Sequence, residues 1–216
     1  MPQQNRLSRE LSYLLRHGAQ RVGLPIRSDG YLRHRSLLGR MDFATLQNIV
    51  RDDPKSRYGL LQEGHNSETS GSWWIRANQG HSMPNVILDL KPIQSASEIP
   101  IAVHGTSMSA WKVISEKGLS RMTRNHIHLA QGFVGDVISG MRSSSEILIF
   151  IDVASALDTG IKFYVSSNGV ILTPGDNKGY LECKFFSRVE RVKPSSDPIP
   201  GWDTRDKEIE SGDVKP

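Results

Sequence analysis

The chain has 216 residues, with 27 Lys and Arg against 23 Asp and Glu, for a net charge of +4 at neutral pH. One cysteine, Cys183, excludes an internal disulfide and any cysteine-rich zinc site. No apolar run reaches the length of a membrane span and residues 1–20 are too charged for a secretory signal, so a soluble intracellular protein is expected, in nucleus or cytoplasm.

The charge is unevenly spread. Residues 1–57 carry eleven Lys and Arg, ten of them arginines, against five acids, whereas the remainder carries sixteen against eighteen. Such a basic segment suits an anionic partner, nucleic acid first, and arginine's planar fork binds phosphate through two hydrogen bonds. A merely solvated basic face would give the same composition.

Along the chain, Leu7, Leu11, Leu14 and Leu15 recur at helical spacing and predict an amphipathic helix stopped by Gly18. Arg16 and His17 fall at its C-terminal end, where cations complement the helix dipole. SDGYL (28–32) reads as a turn and short strand, and residues 33–41 as a short helix. Asp42 is placed to N-cap a helix in which Phe43, Leu46, Ile49 and Val50 share a face. Residues 57–64 and 72–80 read as two strands of a hairpin. Helix, strand, helix, helix and hairpin is the order of a winged helix, a fold-level analogy only.

DLKPIQSASEIP (89–100) reads as a linker. Beyond it, IAVHGTS (101–107) is a strand running into a glycine turn, and residues 109–118 form an amphipathic helix. Strands are expected over 125–130, 145–153, 162–167, 169–175 and 180–192. Residues 193–216, rich in proline, serine and mixed charge, read as a disordered tail.

The second half has no dinucleotide-binding glycine motif and no phosphate-binding loop signature. In VHGTS, Gly105 permits close backbone approach, and Thr106 and Ser107 offer hydroxyls and helix-N-terminal amides. In NHIHLA, His126 and His128 share a strand face. As zinc ligands they need a third partner that the sequence does not offer, so no metal is expected. Hydrogen bonding to a ribose or amide, or a purely structural role, both fit them. Arg57, Arg76 and Arg142 each lie at or near a strand end, where a solvated arginine is commonplace.

Taken together, SYLLRHGA, KSRYGL, IRANQGHS, VHGTS, RNHIHLA and ISGMRSSSEILIFID, in that order over about residues 7–192, resemble the tRNA 2′-phosphotransferase family. The resemblance implies an α+β chain: a winged-helix-like RNA lobe (1–90), an ADP-ribosyltransferase-like NAD lobe (91–192) and the tail (193–216). It also implies a catalytic set of Arg16, His17, Arg57 and Arg142. His104, Gly105, Thr106 and His128 fall on positions that contact NAD, with Arg76 in support. NAD is then the co-substrate, no metal is required, and a 2′-phosphorylated tRNA is the partner of a monomeric enzyme. The implied reaction joins the RNA 2′-phosphate to the nicotinamide-bearing ribose carbon, releasing nicotinamide. The neighbouring ribose hydroxyl then attacks that phosphate, giving RNA with a 2′-OH and ADP-ribose 1″,2″-cyclic phosphate through an RNA-2′-phospho-ADP-ribose intermediate. One alternative is an ADP-ribosyltransferase acting on protein or nucleic-acid ends. SSNGVILTPG (166–175) lacks the glutamate such enzymes commonly use, and a glutamate there would repel a phosphate. A second alternative, a non-enzymatic winged-helix binder, leaves the second-half motifs idle.

Overall fold

A computed structural model describes residues 2–37, 39–66, 69–132, 144–192 and 197–203. The fold is mixed α and β, with few helices and several sheets whose strand pairs are all antiparallel among the described residues. It divides into two compact units. The first comprises Met1–Leu90 with Thr123–Asn125 and Ser166–Asn168; the second comprises Lys91–Met122, His126–Val165 and Gly169–Pro216.

In the first unit, helix α1 (Pro2–Tyr13) runs into a π-helical turn, Leu14–Gly18, and a 3-10 turn, Gln20–Val22. The helical run therefore does not stop at Gly18. It continues through Ala19 and ends at Gly23, whose left-handed φ of 70° closes the last turn. Strand β1 (Leu32–Arg33), a 3-10 turn (His34–Leu37) and helix α2 (Phe43–Arg51) follow, the last capped as expected by Asp42 accepting from the Thr45 amide at 2.7 Å. Strands β2 (Tyr58–Asn66) and β3 (Thr69–Ala77) form the hairpin, and the sheet order is β1-β3-β2. Leu11, Leu14, Leu15, Leu46 and Ile75 fill this unit's core, so the leucine stripe buries the face that its spacing marks out. Each such side chain contributes about 1.5–3 kcal/mol.

Among its described residues the second unit holds two four-stranded sheets and a two-stranded ribbon. One sheet has the order β4-β9-β10-β7, from β4 (Lys91–Ile93), β9 (Phe163–Val165), β10 (Ile171–Thr173) and β7 (Ile127–Leu129). The other has the order β13-β12-β8-β5, from β13 (Asp197–Asp203), β12 (Phe186–Arg191), β8 (Ile147–Ile151) and β5 (Val103–Thr106). Strands β6 (Leu119–Ser120) and β11 (Tyr180–Leu181) make the ribbon. Every residue of β8 is buried, as a central strand of a covered sheet requires. Helix α3 (Met108–Lys117) is N-capped by Ser107, and helix α4 (Val153–Asp158) by Asp152.

Three sequence expectations change here. The stretch read as a linker supplies β4, with Pro92 tolerated because β4 is an edge strand and Ile93 buried. The strand expected to run to residue 153 stops at Ile151, and Asp152 starts α4. The stretch read as a disordered tail includes β13, paired with β12; its Trp202 meets the Trp111 and Phe186 rings at centroid distances of 5.2 and 5.8 Å. Two apolar residues, Ile199 and Trp202, supply the packing that composition alone hides.

Candidate active site

In the π turn the Ala19 amide donates to the Leu14 carbonyl at 2.9 Å, spanning one residue more than an α-helical bond. Buried Leu14 and Leu15 anchor the turn while Arg16 and His17 ride on its other side. Gly18 is needed for space: a Cβ there would lie 2.4 Å from Tyr13 Cε1.

The segment after β3 wraps this turn. The Ser82 amide donates to the Arg16 carbonyl at 2.9 Å, and Ser82 Oγ bonds His17 Nδ1 at 2.8 Å. Gly80, with φ at 90°, lets the chain pass so close that a Cβ would meet Arg16 Cδ and Nε at 3.3 Å. Arg16 Nε and Nη2 have no solvent contact and no hydrogen-bond partner among the described residues. Burial lowers the Arg16 pKa, helped by the charges of Arg57 and Arg124 and opposed by Tyr58 and Asp53.

Arg57 enters from the turn before β2. Its guanidinium pairs with Asp53, whose side chain is only 3% exposed and also accepts from the Arg57 amide. Ser56, just before it, has a φ of 45°, a left-handed conformation uncommon for a residue with a side chain. Asn78 holds that strained corner: its Nδ2 donates to the Ser56 carbonyl at 2.7 Å and its amide to the Arg57 carbonyl at 2.8 Å.

Sequence reasoning missed Arg124. It lies in the short segment contributed to this unit by Thr123–Asn125, and its charge acts on both Arg16 and His17. Asn125 fastens that segment: its amide donates to the His81 carbonyl at 2.8 Å, and its Nδ2 to the Met83 and Val86 carbonyls at 3.2 Å each. The one signal in sequence was the arginine that opens RNHIHLA. His17 is held below the ordinary histidine range by burial first, then by Arg124, Arg16 and Arg21. Arg16, His17, Arg57 and Arg124 are therefore one electrostatic group, with Asp53 as its counter-charge.

Arg76 lies on β3 opposite Gly59, its guanidinium 4.8 Å above the Tyr31 ring centroid. Its Nε is buried with no hydrogen-bond partner among the described residues. Arg142 lies outside the described residues.

In the second unit, His104 and His128 come together. His104 Nδ1 lies 3.0 Å from the His128 carbonyl, which can only accept, so Nδ1 donates and Nε2 is left as an acceptor in the neutral ring. A reciprocal main-chain pair, Val103 amide to Ala130 carbonyl at 3.0 Å and back at 2.8 Å, sets that approach and joins the edges of the two sheets. Gly105 and Thr106 continue β5. At the α3 N-terminus, Ser107 Oγ accepts from the Ala110 amide, and the Glu146 carboxylate accepts from the Met108 amide at 2.9 Å. Two of the helix-N-terminal amides, those of Met108 and Ala110, are therefore bonded within the protein itself. His126 lies edge-on to Tyr164 rather than with a ligand set.

A family model described as RNA 2′-phosphotransferase, Tpt1 / KptA family, matches residues 2–175. The chain belongs to this family. Among RNA 2′-phosphotransferase relatives, tRNA 2′-phosphotransferase 1 of Danio rerio is 44% identical over 198 residues, spanning 88% of this chain and 86% of that protein. The tRNA 2′-phosphotransferase of Saccharomyces cerevisiae is 39% identical over 182 residues, 77% of each chain. A putative tRNA 2′-phosphotransferase of Schizosaccharomyces pombe is 48% identical over 190 residues, 85% of this chain and 50% of that one. All nine candidate residues fall inside the span matched by the RNA 2′-phosphotransferase model.

Proposed function

We propose that this chain removes the splice-junction 2′-phosphate of ligated tRNA by transferring it to NAD, releasing nicotinamide, RNA with a 2′-OH and ADP-ribose 1″,2″-cyclic phosphate. On this reading the first unit is a winged-helix-like RNA lobe and the second an ADP-ribosyltransferase-like NAD lobe. The observation that carries it is Arg16: two buried guanidinium nitrogens with no acceptor among the described residues, beside Arg57, Arg124 and His17. Buried donors of this kind call for an anion with several oxygens. Three arginines less the Asp53 charge leave a surplus of two positive charges, matching the roughly −1.5 to −2 of a phosphate monoester near pH 7.

NAD supplies the acceptor ribose carbon and a leaving group in nicotinamide. His104, whose Nε2 is the acceptor nitrogen of its neutral ring, and Gly105, with no side chain to obstruct the backbone, fit such a polyhydroxylated ligand; Thr106 and His128 flank them. Since the phosphate arrives ionised, the residues of the first unit have no base to provide for its attack. Their task there is placement. Breaking the bond from phosphorus to the RNA 2′-oxygen develops charge on the phosphate oxygens, which fixed guanidinium groups in a water-poor site stabilise. His17, neutral in the free protein, gains a proton more readily once a dianion offsets its arginine neighbours, and can then give it to the departing 2′-oxygen. Arg142 joins the phosphate-gripping set on this reading, and Arg76 keeps a supporting role.

The test is incubation with a 2′-phosphorylated RNA, with and without NAD, following nicotinamide release and 2′-OH formation separately. Wild type should yield both in equal amounts only with NAD. Arg57→Ala loses one charge-assisted contact, worth about 3 kcal/mol or about a hundredfold. That loss should slow 2′-OH formation more than nicotinamide release. No product with NAD, or no dependence on NAD, would overturn the assignment.

A further inference from the structure

A second basic site lies on the first unit, apart from the arginine group just described. A cavity of about 490 Å³ is lined by Ile26, Arg27, Arg33, Arg35, Ser36 and Trp74. We propose that it binds the phosphate backbone of the RNA away from the reacting nucleotide. The proposal rests on the preceding section for the identity of the ligand as RNA.

Three observations carry it. First, the arginines around the cavity are unequally committed. Arg27 is held by Asp29 and Glu63, as Arg40 is by Glu10 and Arg51 by Asp52. Arg33 and Arg35 are exposed and form no ion pair among the described residues; the Arg33 guanidinium donates to Ser72 Oγ, at 2.6 Å. Second, Trp74 lines the cavity, and its Nε1 is buried with no hydrogen-bond partner among the described residues. The guanidinium groups of Arg33 and Arg35, the Ser36 hydroxyl and the Trp74 indole belong to residues lining the cavity, and all are donors, whereas phosphate oxygens only accept.

Third, the cavity ends a stripe of alternating cations and rings. Arg27 lies 4.9 Å from the Trp74 ring and 5.7 Å from Tyr31, whose ring also carries Arg76 at 4.8 Å. Trp74 and Arg76 share one face of β3, while Ile75 between them is buried in the core. Across from Arg76 stands Gly59, which adds no side chain there. The strand then leads to Asn78, which fixes the corner carrying Arg57. At the rise of a strand, Trp74 and Asn78 are about 13 Å apart. A nucleic-acid strand anchored by its 2′-phosphate at Arg16 and Arg57 would follow this stripe, its bases against rings and its backbone against cations.

The experiment uses the full chain and a fluorescently labelled twelve-nucleotide single-stranded RNA, with affinity read by anisotropy across a salt series. The Arg33→Ala/Arg35→Ala double variant should bind about tenfold more weakly. Its slope of log affinity against log salt should fall by about 1.4, the value for two lost phosphate contacts to a single strand. Trp74→Phe should weaken binding at an unchanged slope, since it removes the N–H and keeps the ring. Turnover of a 2′-phosphorylated dinucleotide, too short to reach the cavity, should match wild type in both variants.

Unchanged affinity and slope in the double variant would overturn the proposal. So would an equal loss of dinucleotide turnover, which would make these residues supports of the fold, or binding of an Asp/Glu-rich peptide that depends on Arg33 and Arg35 while RNA binding does not. If RNA binding behaves as described but no NAD-dependent phosphate removal occurs, the catalytic assignment fails and the RNA site stands.

Discussion

Replacing Arg16 by methionine should make the ligand-free protein more stable while destroying its phosphate site. Two guanidinium nitrogens of Arg16 are buried without a partner among the described residues, and each such N–H costs about 1–3 kcal/mol. Methionine keeps most of the stem's volume, and the main-chain bond from Ser82 to the Arg16 carbonyl does not involve the side chain. The favourable pull of Asp53 on Arg16 is lost, and the repulsion from Arg57 and Arg124 is lost with it. The balance is a gain of about 2 kcal/mol, in line with buried charges replaced by apolar groups. In a chain of this size that raises Tm by about 4–8 °C. Orthophosphate at a hundred times its dissociation constant should stabilise wild type by a further ~2.7 kcal/mol and the variant not at all. Thermal melts followed by circular dichroism, with and without phosphate, read both effects. A variant that melts below wild type, or that phosphate still stabilises equally, would refute the argument that Arg16 is held unsatisfied for an anion.

Gly18→Ala drives a methyl into the Tyr13 ring and should lower both stability and activity; the same change in a Tyr13→Leu background should cost much less, read by melts and by turnover. Trp202→Ala should cost about 2–3 kcal/mol by exposing Trp111 and Phe186, so truncation after Val192 should lower the Tm of a chain that otherwise still folds. His17 should titrate by NMR below the ordinary histidine value, and Arg124→Ala or added orthophosphate should raise it. With its native value lowered, the unfolded chain takes up this proton first, so the neutral form's contribution is complete above about pH 6.5 and fades as pH falls from there through the native value. A native value at or above that of a histidine peptide would contradict the burial and charge argument.

Spacing made much of the first unit legible. The leucine stripe and the Asp42 cap follow from helical period and local hydrogen bonding, and both recur in the structure. The π turn was hidden because Leu7, Leu11, Leu14 and Leu15 match an α-helix equally well; the added residue is fixed by Tyr13 and the segment around Ser82, which no local pattern encodes. Arg16, His17 and Arg57 stood out through their motifs. Arg124 did not, since a lone cation in a loop gains meaning only when Asn125 ties that loop down. Helix α4 is six residues long and follows a strand without a glycine or proline break, and β13 rests on two apolar side chains in a polar stretch. Both are made by tertiary packing rather than by propensity.

The reciprocal pair between Val103 and Ala130 bears on how this fold tolerates change. Both of its bonds run through main-chain atoms, so the side chains at 103 and 130 do not make them, and only a proline would delete a donor. The spacing between His104 and His128 is thus inherited from backbone register, not from the fit of neighbouring apolar groups. Over long divergence the packing around this seam is free to be rewritten, one aliphatic residue for another, with the two imidazoles kept in step.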